Sequence, residues 1–497
     1  MNLMLTHVCP DEAVSDAAGH PGLSASSAAD GSLRAQSVEP CGSAPAVRKT
    51  VLENGVRVVT ESMGGVRSVS IAVLVDCGSK EESVEQAGLA HLCEHLSFQG
   101  TSSRDAMQIA RQADSFGQVG GFTTRDYTCY FAATLDDYQF HALDLLGDVL
   151  LNSTFPDDCL SHEKQAILSE IERGADMPEQ HVHDLAKRRA WPRSALGRPI
   201  AGDAATLVWH TREDLIYFFH RHYTADRMIV AAAGHLDHDD FVAQTRDAFW
   251  RLIGRSAPSP RETPEFHPGV TIESTNSAQA YFCLTIPAPP YAAPDRYVTH
   301  VLNRILGGGI SSRLSRKLRE EAGLVYAVQS EYHAYRDAGM ISVEGSTGAQ
   351  HIAEAIAIVL ATLGNLLSGQ EPVDAEELWR AKTHMRVQHL TSSEDVHTRM
   401  CRLATQELYF ESHLDTHRIL AHIDAVELGH LTAFTRDYLS RQLSLAHLAI
   451  VGPIDDEPAL RSRVTRLMNE CAWRGEPLTA ACAPPPETGH KPDAIGK

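Results

Sequence analysis

"FFHRHYTADRMIVAAAGHLD" (residues 218–237) reads as an aromatic-rich helix end, a turn, an unbroken apolar strand and a closing glycine. The same order returns in "FTRDYLSRQLSLAHLAIVGPID" (434–455), and Tyr223 and Tyr438 stand 215 residues apart (438 − 223). A repeat this long is a duplicated domain and not a solenoid. Working outward, "SHEKQAILSEIERGADMPEQHVHDLA" (161–186) and "DAEELWRAKTHMRVQHLTSSEDVHTRM" (374–400) are matching long helical patterns. Each follows an apolar helix, "ALDLLGDVLLN" or "IAEAIAIVLATLGNL". Each half opens with strands, "VRVVTE" and "SVSIAVLVD" in the first, "GVTIES" and "QAYFCLTIP" in the second, and later adds "YTCYFAATL" or "AGMISVEGS". The expected fold class is α+β: two homologous domains, each a mixed, mostly antiparallel sheet covered by helices.

"GRSAPSPRETPEFHPG" (254–269) carries four prolines and no period, so it reads as a linker over 254–268. It separates a domain at 46–253 from one at 269–473. Residues 1–45, rich in Ala, Ser and Gly, and the tail 474–497 have too little apolar surface to offset ordering entropy, and disorder is expected there.

The chain has 497 residues, with 44 Lys plus Arg against 64 Asp plus Glu, a formal net charge of −20. That balance argues against nucleic acid and anionic membrane as partners and favours neutral or basic ones. No apolar run near the ~20 residues of a membrane span is apparent, nor a signal or transit peptide, so a cytoplasmic location is expected. The ten cysteines form no CxxC pair and read as free thiols. Neither a GxSxG elbow, a P-loop nor a GxGxxG is present.

Chemistry concentrates in "LAHLCEHLSFQG" (89–100). As a helix it turns Leu89, Leu92, Cys93 and Leu96 to one side and His91, Glu94, His95 and Phe98 to another. Two imidazoles one turn apart can share one ion, with Glu94 beside them as a general base, but a catalytic Zn²⁺ needs a third protein ligand. The best candidate is Glu170 in "SHEKQAILSEIER", with Glu163 seven residues before it on the same face and able to orient a histidine. Without the HxxEH beside them, both would read as solvated helix carboxylates. Cys93 reads as a small buried residue, "HVH" (181–183) as two histidines on different helix faces, and "GHLDHDD" (234–240) as polar turn chemistry.

HxxEH followed 75 positions later by a glutamate (170 − 95), with another seven before it, resembles the inverted-zincin peptidases of the pitrilysin family, M16. Further blocks look similar in the same order: "LGRPIAGDAATL" (196–207), "HYTADRMIVAAAG" (222–234) and "GGGISSRLSRKLREEAGLVYAV" (307–328). The resemblance is to the half-size branch that includes mitochondrial processing peptidase and small bacterial members. It implies the M16, LuxS/metallohydrolase-like fold and a metalloendopeptidase with one Zn²⁺ per chain. His91, His95 and Glu170 would be its ligands, Glu94 the base and Glu163 the support of a ligand. Arg319 and Tyr326 match the substrate-binding pair of the family, Arg319 ending a helix that Gly323 stops and Tyr326 starting the next strand. The strand after the metal helix would pair with an extended peptide through its edge. Here it reads "GQVGGFTT" (117–124), with Gly120 and Gly121 where Asn and Ala are usual, followed by Phe122. The resemblance also implies a dimer in which Arg319 and Tyr326 serve the facing chain. A homodimer is favoured because this chain carries both sets, with a heterodimer with a related chain as the alternative. The substrate would be an oligopeptide, an unfolded segment or the leader of a precursor. A catalytically silent scaffold subunit is the other reading, although such relatives usually lose the ligands or the base.

Overall fold

The computed structural model describes residues 47–254 and 263–474. The expectations for the two ends and for most of the linker fall outside these residues. Residues 263–268 run without regular structure into the second domain.

The first sheet holds β1 (Val47–Val51), β2 (Arg57–Ser62), β3 (Ser68–Val75), β4 (Gly117–Thr123), β5 (Thr128–Leu135) and β6 (Met228–Gly234) in the order β1-β2-β6-β3-β5-β4. Only β2 and β6 run parallel. The second holds β7 (Gly269–Ser274), β8 (Ala280–Ala288), β9 (Val325–Ala334), β10 (Gly339–Thr347) and β11 (His447–Gly452), ordered β7-β11-β8-β10-β9 with only β7 and β11 parallel. The second sheet thus repeats the first without β1, and the duplication read from the two tyrosine-containing stretches holds.

Eight helices set the site and the join between the halves: α1 (Leu89–Ser97), α2 (Gln139–Leu151), α3 (Asp157–Asp176) and α4 (Pro178–Ala190) from the first half, and α5 (Arg296–Gly307), α6 (Ile352–Leu367), α7 (Ala375–Ser392) and α8 (Val396–Phe410) from the second. The two long helical patterns are each broken, which corrects the expectation of continuous helices. Pro178 disfavours helical backbone at Met177, which sits at φ −98° and ψ 99°, and then opens α4 as a first-turn proline. In the second half Asp395 leaves the helical region and caps α8 by accepting from the Thr398 N–H.

Each break sends a helix across to the other half. The inner strands are apolar on both faces, so both faces need cover. One face of the first sheet packs on α1 and α2 within the main core of that half, while the other presents Ala231, Ala233, Ala72 and Leu74 to Val396, Met400 and Ala404 of α8. Reciprocally, Val182, Leu185 and Ala186 of α4 close over Cys283, Ala449 and Val451 of the second sheet. Small alanines let the crossing helices approach closely. Ion pairs follow the same seam: Glu407 of α8, with a fully buried side chain, meets Lys49 at 2.7 Å, and Arg336 meets Asp76 at 2.7 Å.

Two smaller expectations change. The helical stretch Ala349–Leu367, 19 residues with mean hydropathy 1.4, is long and apolar enough to cross a membrane, contrary to the reading that no run approaches that length. Its Ile356, Val359, Leu360 and Leu363 are buried in the core of the second half. "GHLDHDD" is more than a turn: Asp237 caps the helix His238–Phe249, and the His238 ring bridges Thr60 at 2.7 Å and Thr50 at 2.9 Å. The six cysteines whose side chains are described, among them Cys77, Cys93 and Cys283, are free, as expected.

Candidate metal centre

Helix α1 starts at Gly88, whose φ of +94° and close approach to the Ala201 carbonyl (2.7 Å from where a Cβ would stand) require glycine. Its first N–H groups are capped from outside the helix. Glu82 accepts from the Gly88 N–H at 2.9 Å and from the Ala90 N–H at 2.7 Å, one oxygen to each. Burial pushes this carboxyl up to about 8 against those two hydrogen bonds. Leu89, Leu92, Cys93 and Leu96 are buried as the apolar stripe predicts. The Cys93 thiol, wholly inside the core, is raised well above its ordinary pKa by burial, which suits an inert packing residue.

The other face carries the cluster. His91 Nε2 and His95 Nε2 stand 3.2 Å apart, and Glu170 Oε2 on α3 lies 3.9 Å from His91 Nε2. One donor atom from each of the three lies within 4.8 Å of the others. His95 Nδ1 is 2.9 Å from Glu163 Oε2, and Gln99 Nε2 donates to Glu163 Oε1 at 2.8 Å. Glu163 therefore fixes the tautomer of His95 with its Nε2 lone pair turned inward. Side chains of His91, His95, Glu163 and Glu170 keep 16%, 15%, 17% and 15% exposure, sheltered yet open to a small ion and to water.

The donor set fits a borderline cation such as Zn²⁺. Ligands ~2.0–2.1 Å from a tetrahedral centre lie roughly 3.3 Å apart, which the two imidazole nitrogens match. Burial, with the neighbouring His95 charge, drives His91 down to about 3, so it is neutral and a donor at ordinary pH. Burial also acts on His95, but the Glu163 hydrogen bond and the charges of Glu94 and Glu170 outweigh it and raise its pKa.

Glu94 is buried between the helix and the edge strand β4. Burial pushes its carboxyl up to about 7, opposed by His95 and assisted by Glu170 and Glu163. A Cβ at Gly121 would stand 2.6 Å from Glu94 Oε1, so this carboxyl packs on bare backbone. At Gly120 a Cβ would meet the Phe131 ring at 3.2 Å. Phe122 turns its ring away toward Tyr127 and Phe131 on the face covered by α8, so its contribution to an edge is its backbone alone. Among the described residues, β4 forms an edge of its sheet with no strand beyond it.

Arg319 and Tyr326 are not brought to this cluster. Arg319 sits in a π-helical turn (Arg316–Glu321) that widens the helix begun at Arg313, correcting the plain helix of the sequence reading; Gly323 at φ +63° follows as expected. Its guanidinium lies over the Tyr326 ring, 5.9 Å from the centroid, and Tyr326 is 82% exposed at the start of β9. Among the described residues, neither forms a hydrogen bond, ion pair or ring contact with His91, His95 or Glu170.

Two contributors escaped the sequence. Gln99 lies four residues beyond His95 in the same quoted stretch, a spacing that could have flagged it, whereas nothing local marked Glu82 as the cap of α1. A cleft of about 640 Å³ opens beside Glu170, lined by Arg125, Arg188 and Arg189 but also by Asp184, Asp203 and Glu273. Its mixed charge lends no local support to the preference for basic partners drawn from net charge.

A duplicated α+β fold with two histidines and a glutamate of an HxxEH helix pair defines a metallopeptidase-like architecture. Residues 57–204 match the family model for Insulinase (Peptidase family M16), and residues 210–385 match that for the Peptidase M16 inactive domain. An uncharacterized zinc protease of Bacillus subtilis, YmxG, is 33% identical over 417 residues, covering 83% of this chain and 100% of that one. A second, from Mycobacterium tuberculosis, is 34% identical over 429 residues, covering 85% and 97%. Among solved structures, a peptidase M16 inactive domain from Pseudomonas fluorescens superposes with a TM-score of 0.75 at 20% identity, covering 82% of this chain and 98% of that one. A protease from Helicobacter pylori does so with 0.76 at 18%, covering 83% and 100%. The chain belongs to the peptidase M16 family.

Proposed function

We propose that the chain is a zinc-dependent endopeptidase of HxxEH type that cleaves oligopeptides, leader peptides or unfolded segments bound in extended form. The observation that carries this is the convergence of His91, His95 and Glu170 on one point, with the buried carboxyl of Glu94 beside it and Glu163 bracing His95. A zinc held by His91, His95 and Glu170 would supply Lewis-acid polarisation of the scissile carbonyl and an acidified water, its pKa lowered to about 7. Glu94 accepts a proton from the attacking water and returns it to the leaving amine, two tasks that a carboxyl near pH 7 performs well. The free edge of β4 pairs with substrate backbone through N–H and C=O. Arg319 and Tyr326, exposed and stacked on each other, hold substrate at the zinc cluster of a facing copy in a cytoplasmic homodimer, or of a related chain in a heterodimer. The intact base and ligand set weighs against a silent scaffold subunit.

A digest of mixed peptides read by mass spectrometry tests activity and specificity together. Wild type should cleave, chelator should stop it, and Glu94→Gln should lose about 10²–10⁴ in rate while keeping its metal. A metal-free, inactive wild type would favour the scaffold. Full activity from a strictly monomeric preparation would remove the cross-chain role of Arg319 and Tyr326.

A further inference from the structure

The "HVH" histidines, read from the sequence as unremarkable, both meet acidic partners on the second sheet. His181 Nε2 lies 2.8 Å from Glu273 Oε2, a half-exposed surface pair. His183 is different. On α4, it enters the seam between this crossing helix and the second sheet, where its Nδ1 stands 3.2 Å from Glu344 Oε1 and its ring centroid 5.0 Å from that of His333. His333 on β9 and Glu344 on β10 share the sheet face that α4 covers, with Cys283 directly across from Glu344 on β8. One donor atom from each of His183, His333 and Glu344 lies within 4.8 Å of the others, the same closeness that defines the first cluster.

From this geometry we propose that His183, His333 and Glu344 form a second, structural metal site, for a borderline divalent cation of the zinc class, that fastens the crossing helix α4 to the second sheet. Nitrogen donors select such an ion over Mg²⁺ or Ca²⁺, which take oxygen ligands. Two further observations point to a ligand. His183 Nε2 is buried without a hydrogen-bond partner, a defect native interiors seldom leave. And Glu331 Oε2 on β9 stands 3.5 Å from His333 Nε2, so a second carboxyl lies beside the three donors, with the ammonium of Lys187 one turn along α4 from His183. Arg125, the other cation facing this seam, is committed to the Leu196 and Arg198 carbonyls. The Cys283 thiol, 3.9 Å from Glu344 Oε1, offers a fourth donor. Because only Met177 separates α4 from α3, an ion here would also anchor the helix that carries Glu163 and Glu170. The site is independent of the catalytic reading above.

The test uses the full chain with the first cluster removed by His91→Ala, His95→Ala and Glu170→Gln. After equilibration with Zn²⁺ and removal of excess, about one equivalent should remain per chain. Adding His333→Gln or Glu344→Gln should lower it at least tenfold. In the first-cluster variant, Zn²⁺ should also slow hydrogen exchange in the peptides of α4, β9 and β10, a localised readout that needs no further substitution and decides the matter if the added changes prevent folding. No retained zinc, or zinc retained without protection of those three elements, overturns the proposal. So does binding that is indifferent to His333→Gln and Glu344→Gln in folded protein, which would leave the cluster as an ionic network around Lys187.

Discussion

Helices α1 and α5 hold the same place in the two halves and do different chemistry. Each follows its equivalent strand, β3 or β8, and packs against the edge strand, β4 or β9, and the long helix, α3 or α7. Where α1 reads His91, Glu94 and His95, α5 reads His300, Asn303 and Arg304 at the same spacing. Asn303 Nδ2 donates to the Ser330 carbonyl at 3.0 Å and the Asn303 main-chain carbonyl accepts from Ser330 Oγ at 3.0 Å, stitching helix to strand. Burial lowers the Arg304 pKa, and His384 of α7 is lowered by burial and by the Arg304 charge. A guanidinium in the place of a ligand imidazole repels a cation. One scaffold thus gathers donors in the first half and a positive charge in the second, and a few side chains, not the fold, make the difference.

The sharpest way to break this comparison is to exchange its central pair. Glu94→Gln should cut peptide hydrolysis by about 10²–10⁴ with metal content unchanged. Its counterpart Asn303→Ala should leave the turnover of folded protein alone and cost ~1 kcal/mol in urea unfolding. Next in size, Glu163→Gln should weaken Zn²⁺ affinity about 10–100-fold, read by competition with a chelating dye, because a single uncharged oxygen is left for the two donors His95 Nδ1 and Gln99 Nε2.

Glu82→Gln sharpens the same contrast at the helix start. One of its two backbone donors loses its oxygen acceptor and faces an NH₂ instead, at a cost of about 1–3 kcal/mol in denaturant. The pH dependence has a definite sign. A carboxyl held near 8 in the fold, against 4.5 ordinarily, contributes stability at low pH that is lost as pH rises from 4.5 through about 8. Wild type should show that decline and Glu82→Gln should lack it. The smallest effect belongs to Gly121→Ala. Its methyl must push the Glu94 carboxylate aside, an off-rotamer cost of ~0.5–1.5 kcal/mol, or roughly two- to tenfold in kcat.

Much of the centre was legible because its parts lie on single helices. His91, Glu94 and His95 share a face by spacing alone, as do Glu163 and Glu170, and the cluster brings both faces together. The duplication was legible because each half repeats its order of apolar periods. "HVH" shows where such reading stops: the i, i+2 spacing does not say that both of its histidines would meet acidic partners on the second sheet.

The sequence by itself determined most of the strands, the duplicated order, the glycine stops and which faces of two helices carry the candidate donors of the first cluster, since each follows from side-chain periodicity and backbone chemistry within about a dozen residues. Only the tertiary structure decided that α4 and α8 change sides, that Glu82 caps α1, and that His183 meets His333 and Glu344. The physical reason is that an amphipathic helix states which of its faces must be covered but not by which sheet. That choice is made by packing between segments far apart in the chain, where no local period carries the information.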